Sequence, residues 1–185
     1  NASYTDGSGT VESVTSDGLT ILANLDAATI DLIEMYVIIL GRAPDSSGLE
    51  FWHSILTSGK TFDYVASEMW ESPGAKEFYP LSFSTDKIVT NVYNNVLGRE
   101  PDAEGKAYWI GQWQNSGPVA TMREMINALS LDNSQDPIAL ADKAVFQAKI
   151  DVGGFLALTR DSEDVGLAKA AYDMLEDGYS LAQTL

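Results

Sequence analysis

The sequence LGRAPDSSG at residues 40–48 returns as LGREPDAEG at residues 97–105, a displacement of 57 residues. A tryptophan follows each copy at the same distance. When Tyr36 to Trp52 is aligned with Tyr93 to Trp109, 8 of the 17 positions are identical. The chain therefore contains an internal repeat, and the fold must place two similar units side by side.

The residue types in this motif predict a corner between two helices. Glycine takes positive φ without strain and ends the first helix, and proline prevents that helix from continuing. Aspartate then caps the next helix, and the tryptophan on that helix faces the core. These residues are Gly41, Arg42, Pro44, Asp45, Gly48 and Trp52 in one copy, and Gly98, Arg99, Pro101, Asp102, Gly105 and Trp109 in the other.

Apolar residues at helical spacing lie on both sides of each corner. A first helix is predicted over residues 27–40, and further helices follow each corner. The sequence thus predicts an all-α fold of two tandem three-helix repeats with a C-terminal helical cap and a short extended N-terminal segment. The predicted divisions are 1–22 (linker or short β segment), 23–82 (repeat 1), 83–130 (repeat 2) and 131–185 (cap on the repeats), within one compact domain.

Composition restricts the class of protein. The 185 residues carry a net charge of −16 and no cysteine. An acidic surface disfavours nucleic acid and anionic lipid as partners. Because no apolar run reaches the length of a membrane helix, we also expect no membrane insertion. The chain begins with Asn1 rather than methionine, which favours a fragment or a processed product.

No catalytic motif accompanies the repeat. His53 is the only histidine, so histidine-based metal centres and the HExxH motif are excluded. A serine hydrolase would need His53, and the nucleophile elbow GxSxG is absent. Among 27 acidic residues no glycosidase pair stands out. We therefore expect a protein that is not an enzyme and that needs no cofactor.

Two groups of residues are candidates for ligand binding. Arg42 and Arg99 could meet a sugar hydroxyl, a phosphate or a carboxylate, although contacts within the corner are the favoured interpretation. Trp70, Phe78 and Tyr79 could form a platform that stacks on a sugar, with Glu71 nearby. A half-buried packing cluster is the simpler interpretation of these three rings.

Calcium binding is a weaker hypothesis. Asp132, Asn133 and Asp136 supply oxygen ligands over five residues, but the segment lacks the glycine and the closing glutamate of an EF-hand loop. Neither corner matches that loop. The sequence therefore predicts no defined metal site, with calcium bound at residues 132–136 as the alternative.

The doubled L-G-R-x-P-D-x-x-G-x-x-x-W resembles the repeat family of unknown function numbered 4214, over about residues 27–130. That resemblance implies a non-catalytic helical module of large exported bacterial proteins, among them repeats-in-toxin adhesins, type I secretion substrates and S-layer proteins. It implies a secreted, cell-surface location and a role in anchoring or adhesion through a glycan such as lipopolysaccharide. The alternatives are a structural spacer or assembly module, and a module that binds a protein or peptide.

Overall fold

The computed structural model describes residues 2–5, 11–14, 25–131 and 135–159. Strands β1 (Ala2–Thr5) and β2 (Val11–Val14) pair antiparallel, with Ala2 opposite Val14. Helices follow: α1 (Ala27–Met35), α2 (Ser46–Thr57), α3 (Phe62–Glu71), α4 (Pro73–Phe78), α5 (Thr85–Val92), α6 (Ala103–Leu131) and α7 (Pro137–Thr159). The all-α prediction is confirmed, and the strand pair lies in the N-terminal segment predicted to be extended.

Local side chains fix where the helices begin. Asp26 accepts a hydrogen bond from the Thr29 amide at 2.7 Å and so caps α1. Thr61 and Ser84 cap α3 and α5 in the same way, through the amides three residues later. Each cap satisfies one of the amide groups that a helix start leaves without a partner.

The helix that leads into each corner changes its winding before it ends. Residues Tyr36–Leu40 and Tyr93–Leu97 form π-helical turns, which we call π1 and π2. The sequence predicts α-helix up to residue 40, so the last five residues differ from that prediction. A π turn displaces the hydrogen-bonding register by one residue. Periodicity alone does not indicate this displacement, because the whole of π1 is buried.

The register shift frees backbone carbonyl groups that distant side chains then satisfy. The Tyr79 hydroxyl donates to the Ile38 carbonyl at 2.9 Å. At the equivalent position of π2, the Asn95 carbonyl accepts a hydrogen bond from the Nζ of Lys149, whose side chain is fully buried. The equivalent carbonyl groups of the two copies are therefore satisfied by different residues. These are Tyr79, just after α4, for the first copy and Lys149, on α7, for the second.

The core lies between the two copies and α7. Its largest fully buried side chains come from α1 and π1, joined by Met69, Met122 and Phe146. The corner tryptophans Trp52 and Trp109 pack against this core but keep part of their surface exposed. Both faces of α1 and π1 are covered, which explains why nine successive residues from 32 to 40 are buried.

One local prediction differs from the structure and another agrees with it. The sequence of residues 73–80 predicts a turn, but Pro73–Phe78 is a short helix capped by Ser72. Residues 116–118, Ser-Gly-Pro, predict a break, and Gly117 leaves helical geometry there, at φ 80°, inside α6. The sequence also predicts a helix over about residues 162–175 of the cap, and that segment lies outside the described residues. Among the residues that are described, no helix is both long and apolar enough to cross a bilayer.

Candidate functional site

The first corner joins its repeated residues to one another. Gly41 takes the left-handed conformation at φ 60°, and Asp45 accepts the Gly48 amide at 2.7 Å. The Arg42 guanidinium lies over the Tyr36 ring, 5.2 Å from its centre, and donates to Asp45 at 2.8 Å. Burial acts to raise the pKa of Asp45, but the hydrogen bonds from Arg42 and the Gly48 amide outweigh it, so this pKa lies below its usual value.

The second corner repeats this geometry with one difference. Gly98 has φ 67°, Asp102 accepts the Gly105 amide at 2.8 Å, and Arg99 lies 5.0 Å from the centre of the Tyr93 ring. Arg99, however, makes a bidentate ion pair with Asp142 on α7, at 2.8 and 2.6 Å. Arg99 thus ties the second corner to another helix, whereas Arg42 closes the first corner on itself.

These contacts place both candidate arginines in structural positions. Each guanidinium pairs with a carboxylate, stacks on a tyrosine and donates to the carbonyl of the following residue. The hydrogen bond with Asp142 raises the pKa of Arg99 further above its ordinary value. A ligand at Arg42 or Arg99 would have to displace an existing ion pair, so neither arginine forms an open anion site.

The three rings considered as an alternative stacking platform, Trp70, Phe78 and Tyr79, do not form a surface platform in the structure. Tyr79 is fully buried, because its hydroxyl serves the Ile38 carbonyl. Trp70 is 9% exposed and packs against Tyr79 and Trp113, with ring centres 5.4 Å apart in both pairs. The half-buried Phe78 ring covers Gly41. These rings form a packing cluster and offer no stacking face to a sugar.

The exposed aromatic surface lies instead beside the corner tryptophans. Phe51 is 57% exposed and meets Trp52 edge to face, with ring centres 5.0 Å apart. Tyr108, 53% exposed, meets Trp109 in the same way at 4.8 Å. The equivalent spacing in the two copies could have revealed this pair in the sequence, since an aromatic residue precedes the tryptophan both times.

The helix that carries Phe51 also lines an open groove of about 480 Å³. We call it the polar groove. It runs along α2, between the start of α1 and the end of the described part of α7, and Phe51 follows the lining residue Glu50 in the sequence. Its lining residues are Asp26, Thr29, Ser46, Leu49, Glu50, His53, Ser54, Thr57 and Ala157.

The groove hydroxyl groups donate to the backbone and keep their acceptor capacity. Ser54 donates to the Phe51 carbonyl at 2.7 Å, Thr57 to the His53 carbonyl at 2.7 Å, and Ser46 to the Ala157 carbonyl at 2.9 Å. A hydroxyl that donates one hydrogen bond still has lone pairs to accept another. The groove therefore presents acceptors to any ligand rich in hydroxyl donors.

His53 is held by the carboxylate that caps α1. Its Nε2 lies 3.2 Å from Oδ2 of Asp26, while Oδ1 of Asp26 accepts the Thr29 amide. This amide bond, more than His53, keeps the pKa of Asp26 below its usual value. The geometry fixes the orientation of the imidazole in the groove.

The polar side chains that line the groove are mostly not repeated in the second copy. The positions on α6 equivalent to Ser46, Glu50, His53, Ser54 and Thr57 carry Ala103, Ala107, Ile110, Gly111 and Gln114. The second copy keeps the corner and the exposed aromatic ring but lacks most of the polar side chains. Tyr108 is consequently an internal control for Phe51.

The residues considered for calcium fall partly outside the described structure. Asp132 and Asn133 lie outside the described residues. Asp136 caps α7, since one of its oxygens accepts the amides of Ile138 and Ala139 at 2.9 and 3.0 Å. Within residues 25–131 and 135–159, no group of three acidic or histidine side chains is arranged to hold a metal ion.

A second acidic group lies between α1 and α7 beside a cavity of about 140 Å³. Glu34 is buried there and accepts a hydrogen bond from Ser130 at 2.6 Å. Burial raises the pKa of Glu34 despite that bond, and the nearby Asp31 raises it further. Burial likewise raises the pKa values of Asp31 and Asp151.

These shifts predict the pH dependence of stability. An acid whose pKa is raised by folding destabilises the fold while it is ionised, so stability increases as the pH falls from 7 through the folded-state pKa values of Glu34, Asp31 and Asp151. Asp26, Asp45 and Asp102 have lowered pKa values. The stability that these three carboxylates add to the fold is therefore lost below about pH 4, where aspartates of the unfolded chain take up protons. Thermal unfolding between pH 3 and 8 should show maximum stability in the mildly acidic range.

Glu34→Gln isolates the most deeply buried of these three acids. We expect this variant to be more stable than the wild type at pH 7 and to gain less on acidification, because it carries no charge to neutralise. Glu77→Gln, at an exposed position, controls for the change in net charge. If Glu34→Gln and Glu77→Gln shift the melting temperature equally at every pH, burial of Glu34 is not the cause.

In the part of the chain that the structure describes, the fold is all-α, with two glycine-proline-aspartate corners and the polar groove. Residues 66–133 match the family model described as Domain of unknown function (DUF4214), so this part of the chain is similar to that family. The matched range contains the second corner and ends near the end of α6. No curated protein and no solved structure matches the chain.

Proposed function

We propose that this chain is a non-catalytic binding module that holds an uncharged glycan in the polar groove. The observation that carries the proposal is a groove lined by hydroxyl and carboxylate acceptors along α2, the helix that also carries the exposed Phe51 ring. Sugars combine many hydroxyl donors with an apolar ring face. Acceptors and an exposed aromatic ring on the same helix match both features.

The charge of the groove supports an uncharged ligand. Asp26 and Glu50 line it, and no lysine or arginine among the described residues does. With a net charge of −16 on the chain, a phosphorylated or acidic sugar would be repelled on approach. A neutral sugar can donate its hydroxyl protons to these carboxylates without that cost, and such charge-assisted hydrogen bonds are strong.

The hydrogen bonds of the groove favour binding over catalysis. Ser46 and Ser54 donate to backbone carbonyls, so neither is positioned by His53 as a nucleophile. The Asp26 carboxylate is engaged by an amide and by the imidazole. These constraints support a rigid recognition surface.

Substitution of Phe51 tests the proposal. We expect Phe51→Ala to weaken binding of a neutral oligosaccharide about tenfold, equivalent to about 1.4 kcal/mol, because the stacking face is removed. Glu50→Gln should weaken binding as well, since the exposed carboxylate accepts strongly. A neutral-glycan array identifies the oligosaccharide, and isothermal calorimetry then measures the affinities of the wild type and both variants.

The matched control is Tyr108→Ala, which removes the equivalent ring from the copy that lacks the polar groove. It should leave the affinity unchanged. Equal losses in Phe51→Ala and Tyr108→Ala would assign binding to the shared aromatic feature and not to the groove. An array on which no neutral glycan binds would contradict the proposal.

The setting we propose for this module is an exported protein at a bacterial cell surface, where a glycan ligand would serve anchoring or adhesion. The absence of cysteine, the acidic charge and the DUF4214 match are compatible with that setting. The alternative is a structural spacer or assembly module, favoured by the burial of Trp70 and Tyr79 and by the internal pairing of both corners. Extraction of the protein with the surface fraction of its native cell tests the location.

A further inference from the structure

The second corner contains a partly enclosed apolar cavity of about 130 Å³, which we call the apolar pocket. It lies between π1, π2, α6 and α7. Its lining residues are Ile38, Val92, Tyr93, Val96, Leu97, Trp109, Met125, Ala128, Leu129, Ala139 and Asp142. None of these residues lines the polar groove, so the two spaces are independent.

We infer that the apolar pocket binds an uncharged apolar group about the size of a benzene ring. Dry apolar cavities of about 150 Å³ accept benzene, so the volume suits such a ligand. Two aromatic side chains face the space. Trp109 donates from its indole nitrogen to the Tyr93 hydroxyl at 3.0 Å, which fixes both rings at the wall.

Asp142, the one charged residue among the described residues that line the pocket, is already paired. Both carboxylate oxygens of Asp142 accept hydrogen bonds from Arg99, at 2.8 and 2.6 Å. A cationic ligand would compete with this bidentate pair, and an anionic ligand would meet the carboxylate directly. The pocket therefore selects uncharged groups.

Comparison of the two copies shows how the space arises. Val92 and Val96 line the pocket, whereas the equivalent positions of the first copy carry the larger Met35 and Ile39. Met35 and Ile39 are both buried in the core. The shorter side chains of the second copy leave volume that the first copy fills.

Toluene is the probe for this inference. Nuclear magnetic resonance of the full chain should show a saturable change in the Met125 methyl signal as toluene is added, and toluene should raise the melting temperature. In the combined variant Val92→Met and Val96→Ile, which copies the first corner into the second, both responses should disappear. Ala139→Leu fills the pocket from the opposite wall and provides a second variant should the first fail to fold.

Leu140→Ala is the control, because Leu140 is exposed and does not line the pocket. It should bind toluene as the wild type does. The inference is overturned if the wild type shows no saturable response, or if the filled and folded variants respond as strongly as the wild type. Loss of response in Leu140→Ala would also contradict it, by assigning the signal to the surface of α7.

Discussion

A Gly41→Ala variant is expected to lose roughly 2–5 kcal/mol of unfolding free energy. Gly41 has φ 60°, where an alanine costs about 1–2 kcal/mol. The added Cβ would also lie 2.5 Å from the Phe78 ring, and overpacking of this kind adds about 1–3 kcal/mol. Denaturant-induced unfolding, followed by circular dichroism, measures the loss.

A Gly59→Ala variant separates the backbone cost from the packing cost. Gly59 also has positive φ, 96°, but a Cβ there meets nothing within 4 Å. We expect this control to show the backbone cost alone and to remain more stable than Gly41→Ala. If the two variants lose the same free energy, Phe78 moves aside without cost and the packing term is wrong.

Tyr79→Phe is expected to destabilise the fold by roughly 1–3 kcal/mol, the cost of a buried polar group left without its hydrogen bond. The substitution keeps the ring but removes the hydroxyl that satisfies the Ile38 carbonyl in π1. Because the shape of the core is preserved, the loss reports on the carbonyl and not on packing. Amide hydrogen exchange should accelerate in π1 in parallel.

Tyr64→Phe is the matched control, since Tyr64 is exposed on α3 and its hydroxyl serves no carbonyl among the described residues. It should unfold at the same denaturant concentration as the wild type. A Tyr79→Phe variant as stable as the wild type would mean that the π turn tolerates an unsatisfied carbonyl, for example by admitting water.

The helical fold could be predicted from the sequence because its signals are local. Gly41 and Asp45 act on their own backbone, and their roles follow from residue type and position. The π turns could not be predicted in this way. They depend on Tyr79 and Lys149, which lie 41 and 54 residues away from the carbonyls they satisfy.

The candidate site was harder to predict for a related reason. Trp70 and Tyr79 were reasonable surface candidates by composition, but long-range packing buries them. The polar groove brings together α1, α2 and the end of α7, and Ser46 and Ala157 meet across 111 residues. The sequence indicated a difference between the copies there only through contrasts at equivalent positions, such as His53 and Ile110.

Three tertiary contacts between α7 and earlier residues can form only after α7 has been synthesised. Asp142 pairs with Arg99, and Lys149 donates a hydrogen bond to the Asn95 carbonyl. The Ala157 carbonyl accepts a hydrogen bond from the Ser46 hydroxyl. All three partners leave the ribosome before α7 does. We therefore expect a nascent chain that ends near residue 131 to have formed its helices and the first corner but to lack the ion pair that ties the second corner to α7, and to become resistant to protease only after residue 157 has emerged.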